Sequence, residues 1–258
     1  MSSILTSLDN AILTITFNRP DVYNSFNREM ALLCQQALET ADTNDEVRCV
    51  VLTGAGKAFS AGQDLNEVIA PDGPELQEIV SLHYNPIIQA IREIEKPFVA
   101  AVNGVAAGAG ANIALACDIV VARESASFIQ AFSKIGLIPD SGGTFTLPRL
   151  VGLQRATALA MLGDKVSAPE AVSMGMIYKA VADDQFENEI ADLSSRLALM
   201  PTKGLGLTKR ALNASLTNDL TKQLSIEEQL QLAASRTHDY REGVNAFLEK
   251  RTPEFRGE

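Results

Sequence analysis

Short, almost continuous apolar runs, separated by helical patterns, constrain the fold more than any other feature of this sequence. Residues 47–53, 97–102 and 118–122 have the composition of buried strands, and residues 11–17 form a strand pattern with period two. Apolar positions at helical spacing fill residues 27–42 and 74–94. Strands without polar alternation need cover on both faces, which helices supply. The sequence therefore predicts an α/β fold.

The second half of the chain carries almost only helical patterns. They cover residues 154–162, 169–174, 186–199, 202–216, 220–234 and 240–250. Ser167, Pro169 and Glu170 form the signature of a helix N-terminus, with a capping serine, an early proline and an acid in the first turn. We therefore expect an α/β core over residues 1–200 and a helical C-terminal region over residues 201–258.

Charge and residue usage argue against several classes of function. Lys and Arg number 22 against 32 Asp and Glu, a net charge of −10, so we expect no nucleic-acid partner. Cys34, Cys49 and Cys117 share no close spacing, and His83 and His238 stand apart, so we expect no metal site. No apolar run approaches a membrane span, and the N-terminus lacks a cleavage signal. These features predict a cytoplasmic protein without a membrane partner.

A segment rich in glycine and alanine, residues 104–111, follows a predicted strand and precedes a predicted helix. In that position backbone N–H groups can face a ligand at a helix N-terminus. Gly108 and Gly110 match the first two glycines of a dinucleotide fingerprint, but Ile113 stands where the third is needed. Residues 54–58 lack the spacer of a P-loop. Close helix packing remains the alternative for residues 104–111.

Two further segments are candidates for chemistry. Residues 59–65 place small residues after a strand, where a backbone N–H can approach a substrate or simply form a turn. Residues 136–144 hold one carboxylate, Asp140, between a proline and two glycines. Desolvation there would raise its pKa and suit it to proton transfer. The alternative is that Asp140 or Ser141 caps a helix that begins near Gly143.

Taken in order, these segments resemble the enoyl-CoA hydratase/isomerase family, also called the crotonase family. The matching residues are 18–20, 24–26, 59–65, 101–106, 117–119, 136–143, 147–149, 168–175, 242–247 and 250–255. The resemblance implies a spiral of ββα units with a helical C-terminal trimerisation region. It also implies a homotrimer or a dimer of trimers. The substrate implied is an acyl-CoA thioester, with coenzyme A as part of the substrate and no other cofactor.

The resemblance also implies roles for individual residues. Backbone N–H groups of Ala61 and Ala109 would bind the thioester oxygen, and Asp140 would be the catalytic base. Residues expected along the coenzyme A moiety are Gln63, Asp64, Leu65 and Gly108. Arg19 and Lys57 are weaker candidates for contacts with its phosphates.

Departures from the hydratase pattern narrow the reaction. The two glutamates by which hydratases activate water fall on Asn112 and Phe132, which cannot transfer a proton as a carboxyl does. Residues 136–143 and 239–243 resemble the ring-1,2-epoxyphenylacetyl-CoA isomerase branch. That branch implies formation of an oxepin-CoA, with a shift of 3-enoyl-CoA to 2-enoyl-CoA at the same site. The alternatives are an enoyl-CoA hydratase, a 3,2-enoyl-CoA isomerase of fatty-acid oxidation, or an acyl-CoA-binding protein without turnover.

Overall fold

The computed structural model describes residues 2–258, which form two sheets surrounded by helices. The larger sheet has the order β1-β2-β3-β5-β7-β10, in which β1 is antiparallel to β2 and the other pairs are parallel. Its strands are β1 (Ile4–Asp9), β2 (Ile12–Phe17), β3 (Cys49–Gly54), β5 (Phe98–Val102), β7 (Ile119–Arg123) and β10 (Lys179–Val181). The strands predicted at 11–17, 47–53, 97–102 and 118–122 are therefore confirmed.

The smaller sheet has the order β4-β6-β8-β9. Its strands are β4 (Ala58–Ser60), β6 (Val105–Ala107), β8 (Ser127–Ile129) and β9 (Lys165–Ser167). The pairs β4–β6 and β6–β8 are parallel, and β8–β9 is antiparallel. Along the chain, a strand of the larger sheet is followed by one of the smaller sheet and then by helix, three times in succession. This repetition confirms the expected spiral of ββα units.

Helices connect and cover the strands. In chain order they are α1 (Arg28–Thr43), α2 (Leu65–Val68), α3 (Leu76–Glu78), α4 (Asn85–Glu93), α5 (Ala109–Ala116), α6 (Gly143–Val151), α7 (Leu153–Leu162), α8 (Ala168–Ser173), α9 (Phe186–Ala198), α10 (Thr202–Ser215), α11 (Leu220–Ala234) and α12 (His238–Glu249). The helix predicted over 74–94 is present as α3 and α4, joined by a π-helical segment, Ile79–Tyr84. Single-turn 3₁₀ segments lie at Pro20–Val22 and Ala131–Ile135.

The six helical patterns of the second half are confirmed as α7 to α12. Ser167 caps α8 in a reciprocal capping box with Glu170, as its sequence signature predicts. The sequence reasoning missed β9 and β10, because strands of three residues are too short to show a period. Within residues 2–258 no helix combines the length and apolar character needed to cross a membrane.

The central strands are covered on both faces. Alternate residues of β3, such as Val50 and Leu52, enter the main core, whereas Cys49 and Val51 pack in a second cluster with α9. This arrangement explains why the strands of the larger sheet lack polar alternation. Cys34, Cys49 and Cys117 are all buried and unpaired, and burial raises the pKa of Cys34 and of Cys49 to about 12.

Candidate active site

Three segments of the candidate site begin at the carboxyl ends of neighbouring strands in the smaller sheet. Because β4, β6 and β8 are parallel neighbours, the segments that follow them start side by side. Residues 61–64 follow β4, Gly108 and helix α5 follow β6, and residues 130–142 follow β8. The topology therefore brings together the three segments that the sequence marked as candidates.

Gly108 makes the junction between β6 and α5. Its φ of 53° and ψ of −127° lie in a region that residues with a Cβ rarely adopt. The turn starts α5 directly after the strand and leaves the N–H of Ala109 at the helix N-terminus without a protein acceptor among residues 2–258. A Cβ on Gly62 would lie 3.2 Å from the Ala109 nitrogen, so the loop after β4 touches this helix end.

The hydrogen bonds of the loop after β4 correct the expectation for Ala61. Its N–H donates to the carbonyl oxygen of Tyr23 at 2.9 Å, so this N–H is not free for a ligand. The N–H of Gly62 donates to Ser60 Oγ, and the N–H of Asp64 donates to the carbonyl of Phe26. The N–H of Gln63, which lies between them, donates to no acceptor within residues 2–258. Gln63 and Ala109 therefore each offer a free N–H, on two adjoining segments.

The side chain of Gln63 is held at both ends of its amide. The buried hydroxyl of Tyr84 donates to Oε1 at 2.9 Å, and Nε2 donates to Glu67 Oε2 at 3.2 Å. Tyr84 ends the π-helical segment, a helical irregularity that often occurs at functional sites. Sequence reasoning missed Tyr84 because it occupies one more position in an apolar helical stripe.

The side chains of Asp64 and Arg19 form an ion pair with each other. Arg19 Nη2 lies 2.9 Å from Asp64 Oδ2, and the other carboxylate oxygen accepts the N–H of Asn66 and caps α2. Arg19 Nη1 also donates to the carbonyl of Ser25. The two side chains therefore stabilise the loop, and the contacts with coenzyme A expected of both stay predictions. Leu65 and Lys57 are exposed and remain accessible.

Asp140 lies in a tight turn before α6. Ser141 and Gly142 both have positive φ, 50° and 72°, and the N-cap of α6 is Gly142, without a side-chain capping bond. The alternative that Asp140 or Ser141 caps this helix is therefore wrong. Burial raises the pKa of Asp140, while a hydrogen bond from Ser141 Oγ to Oδ1, 2.9 Å, acts in the opposite direction. The predicted effect of desolvation on this carboxyl is confirmed in direction.

The Asp140 turn lies against the other two loops. Its charge acts on Tyr84, whose pKa is raised well above its ordinary value by burial first and then by Asp140 and other carboxylates. Asn112 Nδ2 of α5 donates to the carbonyl oxygen of Asp140 at 2.9 Å. The ring of buried Phe132 lies 3.8 Å from where a Cβ on Gly108 would stand. The site thus combines one half-buried carboxyl, two free N–H groups and an aromatic wall.

Across residues 2–258, no three His, Cys, Asp or Glu side chains come together as metal ligands. His83 is buried beside Glu78, and His238 lies at the start of α12.

The sequence profile of the enoyl-CoA hydratase/isomerase family matches residues 7–258. A 1,2-epoxyphenylacetyl-CoA isomerase of Escherichia coli K12 is 48% identical over 260 residues, covering 100% of this chain and 99% of that protein. A Rhodobacter capsulatus protein named "probable enoyl-CoA hydratase" is 45% identical over 255 residues, covering 99% and 98%. A solved enoyl-CoA hydratase of Bacillus anthracis has a TM-score of 0.92 at 32% identity, covering 99% of this chain and 100% of the other.

Proposed function

Because this chain belongs to the enoyl-CoA hydratase/isomerase family, we propose that it is an isomerase that converts ring-1,2-epoxyphenylacetyl-CoA to oxepin-CoA. The observation that carries the proposal is the half-buried Asp140, a carboxyl of raised pKa, in a site with neither carboxyl of the hydratase pair. The 48% identity to the E. coli isomerase supports the same substrate. A shift of 3-enoyl-CoA to 2-enoyl-CoA fits the same groups.

The N–H groups of Gln63 and Ala109 bind the thioester oxygen in this proposal. A proton next to a thioester is acidic only when the enolate oxygen is stabilised. Two preorganised donors in a site shielded from water supply that stabilisation, each worth about 10²–10³ in rate by analogy with other oxyanion holes. The N-terminal end of α5 adds a favourable partial charge. Ala109 replaces a more usual glycine without loss of the N–H.

Asp140 moves the proton. Its raised pKa makes the carboxylate a stronger base than an exposed aspartate, and one base suffices for an isomerisation. For the epoxide, the C–C bond shared by the epoxide and the six-membered ring opens, and its electron pair joins the double bonds of the seven-membered oxepin. The carboxylate takes a proton from the carbon next to the thioester carbonyl and returns it at a ring carbon, so that a double bond moves next to the thioester. Substrate and product then contain the same atoms, and no water, oxidant or reductant is consumed. Exposed Leu65 and the Gly108 turn are the proposed contacts of the coenzyme A moiety.

Hydration has less support at this site. A hydratase needs acid and base groups to place a water molecule and move its protons, whereas Asn112 has a neutral amide and Phe132 an apolar ring. Both side chains are buried, and Asn112 already uses its amide within the protein. Because one relative is named a probable enoyl-CoA hydratase, hydration and isomerisation have to be compared by experiment.

We also propose that the protein works in the cytoplasm as a homotrimer or a pair of trimers. Helix α11 buries none of its residues, although Leu220, Leu224 and Leu232 lie on it. On α12, Phe247 and Leu248 are exposed by 82% and 73%. Apolar side chains on two consecutive helices favour contact with another subunit.

The test is an incubation of purified protein with three CoA esters, followed by mass spectrometry and NMR. Ring-1,2-epoxyphenylacetyl-CoA and a 3-enoyl-CoA should give products of unchanged mass, whereas hydration of crotonyl-CoA would add the mass of one water. Conversion of the epoxide, and little or no hydration, is the expected result. Hydration that outpaces both isomerisations would overturn the proposal.

A further inference from the structure

We propose that Asn112 is a positioning residue, which fixes the catalytic base Asp140 relative to the N–H of Ala109. The inference rests on the proposed function for the roles of those two groups. Ala109 and Asn112 lie three residues apart in α5, which places them about one turn apart on one helix. The place of a hydratase glutamate would then be occupied here by a side chain that holds the base.

A buried hydrogen-bond chain carries this inference. Gln130 Nε2 donates to Asn112 Oδ1 at 2.8 Å, and Asn112 Nδ2 donates to the carbonyl oxygen of Asp140 at 2.9 Å. Asn112 is 1% exposed and Gln130 5%. Because both side chains are buried, neither amide can form hydrogen bonds with water instead. Each amide is therefore oriented by the other, and two hydrogen bonds join the loop after β8 to α5.

The turn that carries Asp140 needs a hydrogen bond of this kind to keep its conformation. Ser141 adopts a φ of 50°, which costs free energy for a residue with a Cβ. The Asp140 carbonyl accepts a second bond, from the N–H of Gly143 at 2.8 Å. A Cβ on Gly143 would overlap Asn112 Nδ2, so the close approach of the amide depends on glycine there. The contact thus holds the turn closed directly beside the carboxyl.

A carboxylate could not replace the Asn112 amide. The bond to Asp140 needs a donor, the bond from Gln130 needs an acceptor, and an ionised carboxylate offers only acceptors. A negative charge at residue 112 would repel the Asp140 carbonyl and open the turn. We infer that the Asp140 base and a hydratase glutamate at position 112 exclude one another in this chain.

The experiment compares two variants of Asn112 with one control. Asn112→Ala removes both bonds, and Asn112→Asp keeps the size and the acceptor for Gln130 but loses the donor. Asn213→Ala is the control. The Asn213 side chain, in α10, also makes two hydrogen bonds: it accepts one from the Arg92 guanidinium and donates one to the Arg92 carbonyl oxygen. Isomerase kcat and KM and the thermal unfolding midpoint are measured for all, beside Asp140→Asn.

Both Asn112 variants should lose about 10- to 100-fold in kcat with KM changed by less than about threefold, because binding groups stay and the base moves. Asn213→Ala should lose only stability. A kcat within about threefold of wild type in Asn112→Asp, with Asp140→Asn inactive, would overturn this inference alone. An active Asp140→Asn would overturn the base assignment and the inference with it. If neither Asn112 variant folds, Gln130→Met decides, and an unchanged kcat there overturns the inference.

Discussion

Replacement of Asp140 by asparagine removes the proposed base while it preserves the shape of the turn. The amide oxygen can still accept the hydrogen bond of Ser141 Oγ, and the backbone carbonyl keeps its bonds from Asn112 and Gly143. The N–H groups of Gln63 and Ala109 are untouched. The variant therefore separates proton transfer from binding.

The magnitude follows from the role of a general base, which contributes about 10²–10⁴ in rate. At about 1.4 kcal/mol for each factor of ten, Asp140→Asn should raise the barrier by about 3–5 kcal/mol. KM should stay within about threefold of wild type, because the contacts of the thioester and of coenzyme A do not involve this carboxyl.

The assay follows oxepin-CoA or conjugated 2-enoyl-CoA formation, with single-turnover measurements to isolate the chemical step. The matched control is Asp183→Asn, an exposed aspartate that also accepts a serine hydroxyl, from Ser125. It should retain full kcat. Turnover of Asp140→Asn within about tenfold of wild type would refute the assignment of Asp140 as the base.

The folding stability of the same variant, Asp140→Asn, tests whether the Asp140 carboxyl is buried in the folded protein. Burial raises the pKa of Asp140 in the folded protein, so its ionisation costs folding free energy as pH rises from the ordinary carboxyl pKa through the raised one. Asp140→Asn should therefore be more stable than wild type at pH about 7, and the difference should shrink as the pH falls toward about 4. Thermal unfolding at several pH values measures both. A variant less stable at neutral pH would contradict the burial argument.

Three further predictions concern hydration and the C-terminal helix α12. Crotonyl-CoA should be hydrated far below the ordinary enzyme range of about 1–10³ per second, since Asn112 and Phe132 carry no carboxyl, and loss of the enoyl absorbance measures it. Phe247→Glu should give smaller particles in light scattering without loss of the monomer fold, since that ring is exposed by 82%; an unchanged size would argue against α12 as an interface. Deletion of residues 239–258 removes the exposed Phe247 and Leu248 of α12, together with the tail that buried Asp239 anchors by accepting the N–H groups of Arg256 and Gly257. Particle size and turnover should therefore change together.

Local sequence determined the central strands of the larger sheet and the longer helices. Apolar runs without alternation, such as residues 97–102, are stable only with cover on both faces, so their pattern identifies buried strands. Helices of ten or more residues, such as α9 and α10, show their period in the sequence because several turns repeat it. Asp140 was also recognisable, since a carboxylate between proline and glycines stands out among apolar neighbours.

Tertiary structure decided the smaller sheet and the details of the site. Strands β4, β6 and β8 have three residues each, too few for any pattern, and only their mutual pairing defines them. Whether Ala61 or Gln63 offers a free N–H depends on the Tyr23 carbonyl, which the fold brings from an earlier segment. The contacts of Tyr84 with Gln63 and of Asn112 with Asp140 likewise join residues 21 and 28 positions apart. Hydrogen bonds over such separations depend on the path of the chain, and no local property of either residue encodes them.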